Sequence, residues 1–364
     1  MSVAASIPEA WATLSLKALP HQSLVALLRA FGDPVSVLAA TRAQLGAVVP
    51  DAVAARIREP VDDAALAATR AWLADPAHEV IAWDDPDYPR ALLELGFAPP
   101  ALFFVGRREL LNRPALAIVG SRNATAQGAE NARAFAHALA QAGLTIVSGL
   151  AVGVDAAAHV GALTAAGSTL AVVGTGLDRV YPASNRELAH RIAEGGGLIS
   201  EFPPGTPPRE KNFPRRNRLI SGLARGVLVV EAALSSGSLI TARYAGEQGR
   251  EVFAIPGSIH SPLSKGCHKL IREGAKLVQT AQDILEELGI TAPTSDAATQ
   301  DENPANASER SVLQALGGDS ADVDTLVART ALPSDVVVAA LTNLELAGQV
   351  AAIPGGNWQR VHRP

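Results

Sequence analysis

ALAIVGSRNATAQGAENARAFAHALAQAGLTIVSGLAVGVDAAAH (115–159) holds the same pattern twice. Ala115–Val119 is a short run without a polar side chain, and it stops at Gly120-Ser121-Arg122-Asn123. An alanine-rich stretch with helical spacing, Gly128–Ala142, comes next, and then a short β-branched run, Thr145–Ser148, which stops at Gly149. A strand that is apolar at nearly every position is buried on both faces, which requires helices above and below the sheet. Strand, helix and strand in that order predict a parallel sheet with crossover helices. The pattern extends outward. Further strands are read at Thr169–Val173, Gly197–Ser200, Val227–Val230, Glu251–Ala254 and Lys276–Val278, with a helix at Ala183–Glu194.

These elements define an α/β core, a Rossmann-like parallel sheet over residues 76–290, in a chain of 364 residues. Before it, residues 1–75 read as a small helical (SAM/HhH-like) domain. Its helices are Glu9–Lys17, Ser23–Phe31, Pro34–Ala40 and Asp62–Leu73, broken at Pro20, at Gly32-Asp33-Pro34 and at Pro60. Residues 291–308 (TAPTSDAATQDENPANAS) have almost nothing to bury and read as a linker. Residues 309–364 give helices Glu309–Leu316, Asp322–Thr330 and Pro333–Ala347. A hairpin of Gln349–Ile353 and Trp358–Val361 around a Pro-Gly-Gly turn completes a winged helix.

Composition narrows the function classes. The net charge of −5 gives no overall attraction for nucleic acid, so any such site is a local patch on an acidic body. Aromatics are 4% of the chain, so a base-stacking ring comes from a short roster. The single cysteine, Cys267, excludes an internal disulfide and a cysteine-rich metal site. Neither a signal peptide nor a membrane-length apolar run is visible, and a cytoplasmic protein is expected.

Five loops with small or polar residues follow strands of the core: Gly120–Asn123, Ser148–Asp155, Gly174–Asp178, Glu231–Ser238 and Pro256–Ser258. Parallel strands place all five at the carboxyl edge of the sheet, where ligands bind in open α/β folds. Gly120, Ser121, Arg122, Asn123, Ser148, Gly149, Gly174, Gly176, Ser236, Gly237 and Ser238 are the candidate ligand-facing residues there. The dinucleotide spacing G-x-G-x-x-G is absent, and Arg122 stands where a second glycine would let a pyrophosphate approach, so no cofactor is expected. An arginine there suits a phosphate.

The strongest charge feature is REKNFPRRNR (209–218), with five basic residues against Glu210 alone. Lys211, Arg215, Arg216 and Arg218 supply cations for phosphates, and Phe213 supplies a ring inside the run. Phe213 reads equally as a base platform or as a core plug beneath a loop. Of Arg216 and Arg218, one is expected to be exposed and the other to pin the loop to an acid such as Glu201 or Glu231.

AIVGSRNAT (117–125), SGLAVGVDAAAH (148–159), GTGLDRVYP (174–182), SEFPPG (200–205), NFPRRNRLISGL (212–223), VVEAALSSGSLITA (229–242) and REVFAIPGS (250–258) resemble, in order and spacing, the DprA/Smf family. The resemblance implies a non-enzymatic homodimer that binds single-stranded DNA without strong sequence preference. It would protect that DNA and deliver it to the RecA recombinase during natural transformation. Two positions depart from the family pattern. Val152 replaces the arginine of S-G-L-A-R-G-I-D, and Glu210 stands three residues before Phe213, where many members are basic.

Other residues have plainer readings. His159 is expected to be a hydrogen-bonded structural residue, Asp155 and Asp178 to be helix or turn caps, and Cys267 to be a buried residue at a helix start. One alternative function is a Rossmann-like nucleotide phosphoribohydrolase, but P-G-G-x-G-T-x-x-E and its spaced glutamate are missing. Another is a winged-helix transcription factor. Over residues 309–364 there are four bases against six acids, and Pro333–Ala347 carries Asp335 and Glu345 with no lysine or arginine, a poor surface for a DNA groove.

Overall fold

The computed structural model describes residues 7–17, 19–96, 98–165, 168–290, 307–317 and 320–361. Its core is a nine-stranded sheet: β1 (His78–Ala82), β2 (Ala101–Gly106), β3 (Ala115–Val119), β4 (Thr145–Ser148), β5 (Thr169–Val172), β6 (Gly197–Ser200), β7 (Gly226–Val229), β8 (Glu251–Ala254) and β9 (Lys276–Leu277). The order is β1-β2-β6-β5-β4-β3-β7-β8-β9. From β6 to β9 every neighbouring pair is parallel, whereas β2 runs antiparallel to both β6 and β1.

The alternation expected of a pleated strand is visible in β3. Ala115, Ala117 and Val119 face one apolar layer together with Leu219, Ile220 and Leu223. Leu116 and Ile118 face the other with Phe135, Leu139 and Val154. Both faces are therefore covered, which is why the sequence shows an unbroken apolar run. After β3 the chain proceeds through β4, β5 and β6 on one side, then returns to lay β7 and β8 on the other. That reversal opens the crevice in which open α/β sheets bind ligands.

Strands β1 and β2 extend the predicted core by an antiparallel pair and dock the N-terminal helices. Trp11, Leu24, Leu27, Leu45 and Ile57 share one apolar cluster with Ala82 and Ala101, and the Trp11 ring meets Trp83 edge-on at 6.3 Å. Two helices, Arg42–Gly46 and Asp51–Arg58, join the four read from sequence. The Gly32-Asp33-Pro34 break has a local cause. Asp33 accepts hydrogen bonds from the Val35 and Ser36 amides and so caps the helix Pro34–Ala39.

The C-terminal unit has helices Ala307–Leu316, Val323–Thr330 and Ser334–Leu346, then strands Val350–Ile353 and Asn357–Arg360. A third short strand, Ser320–Asp322, pairs with the last and makes the expected two-stranded wing three-stranded. Val312, Leu316, Leu326, Leu341 and Leu344 close a small core of its own. The linker assigned to 291–308 lies outside the described residues except for Ala307 and Ser308. Among the described residues no single helix is long and apolar enough to cross a membrane.

Candidate nucleic-acid interface

The basic run is not the loop the sequence suggested. Asn212–Leu223 is a helix, and only Arg209, Glu210 and Lys211 precede it. Pro214 is tolerated because it falls in the first turn, where backbone N–H groups have no helical partner to lose. The helix carries Phe213 to the end of β5. Asn212 Nδ2 donates to the Gly174 carbonyl at 3.0 Å, and a Cβ on Gly174 would stand 3.0 Å from the Phe213 ring. Gly174 is thus a point where the backbone after β5 closely approaches the Phe213 ring.

Arg122 reaches the same place from the loop after β3. It is exposed, and its guanidinium carbon lies 5.7 Å from the Phe213 ring centre. Among the described residues no carboxylate forms an ion pair with it. Phe213 is half-buried, with its edge supported by Gly174 and a face toward Arg122, so it is neither a core plug nor a free platform. Lys211 and Asn123 are exposed nearby in sequence.

Beneath this surface Arg216 corrects the reading of the basic run. It is 5% exposed, and its guanidinium donates to the carbonyls of Gly149 (2.7 Å) and Val172. Those carbonyls end β4 and β5, so Arg216 ties the helix to two loops of the groove and offers no surface to a strand. Burial pulls its pKa down to about 10, against the opposing pull of Asp155. Asp155 in turn accepts from the Gly149 amide at 3.1 Å and from the Ala151 amide at 3.4 Å. As the second residue of the helix Val154–Leu163 it clamps the loop before it, and it is not the helix's N-cap, which is Gly153. Gly149 allows this crowding, since a Cβ there would lie 2.7 Å from both Arg216 and Asp155.

Neither Arg216 nor Arg218 is the free cation expected of one of them. Arg218 pairs with Glu201 at 2.5 Å with its side chain 15% exposed, and Arg215 shares that carboxylate at 3.0 Å while remaining exposed. His159 is structural, as read. Its Nδ1 lies 2.7 Å from Thr169 Oγ1, whose hydrogen is donated to Ile146 O, and its Nε2 accepts from the Leu150 amide at 3.3 Å. One nitrogen donates and the other accepts, which requires a neutral ring. Burial holds its pKa down at about 3. Cys267 is fully buried near the start of the helix Lys265–Arg272, and burial pushes its thiol up to about 11.

The remaining candidates divide by exposure. Ser148 is buried and its hydroxyl donates to Ile118 O, while Ser121 is buried with its hydroxyl accepting from the Asn123 amide. Gly176 is buried as well, and Gly120 is half-buried. Ser236 and Ser238 bond to each other at 2.7 Å, and Gly237 between them is exposed. Several of these residues shape the edge and do not face a ligand with their side chains.

The crevice at the strand reversal is occupied by the chain itself. Glu231, at the end of β7, accepts from the Thr125 amide (2.9 Å) and hydroxyl (2.6 Å), and Thr125 caps the helix Ala126–Gln141. A Cβ on Gly128 would sit 2.3 to 2.5 Å from that carboxylate, so the helix N-terminus already holds an anionic group.

A family model described as DNA recombination-mediator protein A matches residues 79–289, and one described as the DprA winged helix domain matches 295–356. The chain belongs to the DprA/Smf family. It is 46% identical to Protein Smf of Escherichia coli over 78% of each chain. It is 36% identical to the putative DNA processing protein DprA of Mycobacterium tuberculosis over 96% of this chain and 93% of that one. The structure of DNA processing protein A from Streptococcus pneumoniae superposes with a TM-score of 0.67 at 41% identity, covering 76% of this chain and 97% of that one. That of Helicobacter pylori DNA processing protein A, described for its single-stranded DNA binding mode, gives 0.53 at 31% identity over 58% and 95%.

For a DprA/Smf chain, two features of the edge escaped sequence reasoning. Tyr181 packs on Phe213 with ring centres 5.5 Å apart, and only its place in GTGLDRVYP (174–182), on the loop after β5, signals it in the sequence. Glu231 follows β7 in the sequence, but nothing there shows that it meets Thr125 across the crevice. Val152, where the family arginine would stand, is an exposed residue next to Gly153, which abuts the Ser121 and Arg122 carbonyls. The missing cation would have belonged to the loop that abuts the Ser121–Arg122 backbone.

Proposed function

We propose that this DprA/Smf chain binds single-stranded DNA along the carboxyl edge of its sheet, without strong base preference and without catalysing a reaction on it. The observation that carries the reading is the convergence of Arg122 and Phe213 at 5.7 Å from separate elements, with the exposed Lys211 two residues before the ring. A free cation for phosphate beside a ring for a base is the recipe for single-strand binding, and every base has a face to stack. The relationship to the Helicobacter pylori protein, described in terms of single-stranded DNA, supports the same reading. The family resemblance extends the proposal to a cytoplasmic homodimer that shields the strand and hands it to RecA.

The phosphoribohydrolase reading is less well supported. Its natural carboxylate, Glu231, is held by Thr125 at the helix N-terminus where a nucleotide phosphate would have to sit. The transcription-factor reading meets the exposed Asp335 and Glu345 on the helix that would enter a groove. The test is fluorescence anisotropy with a labelled oligonucleotide, single-stranded or as a duplex of equal length, over a salt series. Tighter binding of the single strand is expected, with affinity falling by about 0.7 log units per phosphate contact for each log unit of salt. Equal affinity for the duplex would sink the proposal.

A further inference from the structure

Phe213 has little free ring surface. The Gly174 backbone meets one edge, Arg122 lies over the ring at 5.7 Å, and Tyr181 packs at 5.5 Å with its plane tilted by 34°. That separation is within the roughly 4.5–7 Å range of aromatic rings in direct contact, so no base enters between the two. Tyr181, by contrast, is 46% exposed. Among the described residues it is the one aromatic in the set of strongly exposed large apolar side chains, in a chain with only 4% aromatics. No hydrogen bond to its hydroxyl is found among the described residues. A ring so placed gains little from burial, and it continues the surface begun by Arg122 and Phe213.

We propose that Tyr181 presents the ring face on which a base of the strand stacks, beside the Arg122 cation. This rests on the single-strand reading above. Phe213 then supports Tyr181 from behind, and Arg122 bonds the phosphate next to the stacked base. Stacking by a ring face accepts any base, which fits a site without sequence preference.

The test pairs a protein change with a nucleic-acid change. Tyr181→Ala and Tyr181→Phe are compared with the wild-type protein on an oligothymidine and on a set carrying one abasic spacer at successive positions. Melting curves check that the variants are folded. Tyr181→Ala is expected to weaken binding roughly five- to hundredfold while Tyr181→Phe stays close to wild type. One abasic position should weaken the wild type and leave Tyr181→Ala unaffected, a coupling that a merely structural tyrosine would not produce. Wild-type binding matched by Tyr181→Ala, or abasic penalties equal in the two proteins, would overturn this inference alone. No single-strand binding by the wild type would overturn it together with the reading beneath it.

Discussion

Arg122 lies at the surface beside Phe213, whereas Arg216, three residues after that ring, is buried against two strand-end carbonyls. Replacing Arg122 by alanine should therefore cost about 1–3 kcal/mol of single-strand affinity, the worth of a charged hydrogen bond, and leave the melting temperature unchanged. A fall in thermal stability with unaltered binding would show that the arginine is structural. Phe213→Trp has its ring edge close to Gly174 but other parts near solvent, and should bind within about threefold of wild type, whereas a buried position would be overpacked. His159 gives a pH signature. Its folded pKa of about 3 lies below the ordinary 6.5, so the unfolded chain takes up the proton first and stability declines as pH falls from 6.5 toward 3. Urea denaturation at pH 5 should show a loss of about 2 kcal/mol that His159→Gln lacks. Asp155, whose carboxyl is raised by burial, works in the opposite sense in both proteins and cancels in the comparison. The candidate residues were legible as types: glycines, one arginine after β3 and a ring among cations. Their exposure was not, because charge says nothing about which side of a helix a residue occupies. Once 212–223 is seen as a helix, Arg216 falls three and four positions before the buried Leu219 and Ile220, and its burial follows.

The elements that hold the groove are the loops after β4 and β5 and the helix Asn212–Leu223, joined by the Arg216 guanidinium. Arg216→Met keeps much of the volume but leaves the Gly149 and Val172 carbonyls without that donor and Asp155 without its nearby positive charge. It should cost roughly 3 kcal/mol or more in urea denaturation and also weaken single-strand binding by loosening Phe213. If stability is unchanged, the tie is dispensable. At this scale the parallel strands were readable because each is an apolar run ending in a small-residue loop. Strands β1 and β2 were not, since they lie in a proline-rich stretch (Pro86, Pro89, Pro99, Pro100) and pair antiparallel without a crossover helix to announce them. The helix Asn212–Leu223 was obscured by Pro214, which reads as a breaker until its place in the first turn is known.

Taken whole, the molecule attaches its two flanking units differently. The winged helix has an apolar cluster drawn only from its own residues, while the N-terminal helices share theirs with β1 and β2. A chain ending within 291–308 should thus remain folded and bind the single strand within tenfold of full length, or about 1.4 kcal/mol, by anisotropy at one fixed salt. A chain beginning after residue 75 should lose cooperativity in thermal melting, because Ala82 and Ala101 lose their cover. A larger loss of binding on C-terminal truncation would give the winged helix a direct role on DNA. The Glu231 plug bears on what competes for the site. A mononucleotide ends in a phosphate monoester, yet the helix N-terminus at the strand reversal that could take such a group already holds the chain's own Glu231. What remains is an open edge, where one phosphate finds a single cation and many phosphates in a row find several. On the single-strand reading proposed above, such an edge favours a long strand over free nucleotides, because a row of phosphates meets more cations than one phosphate does.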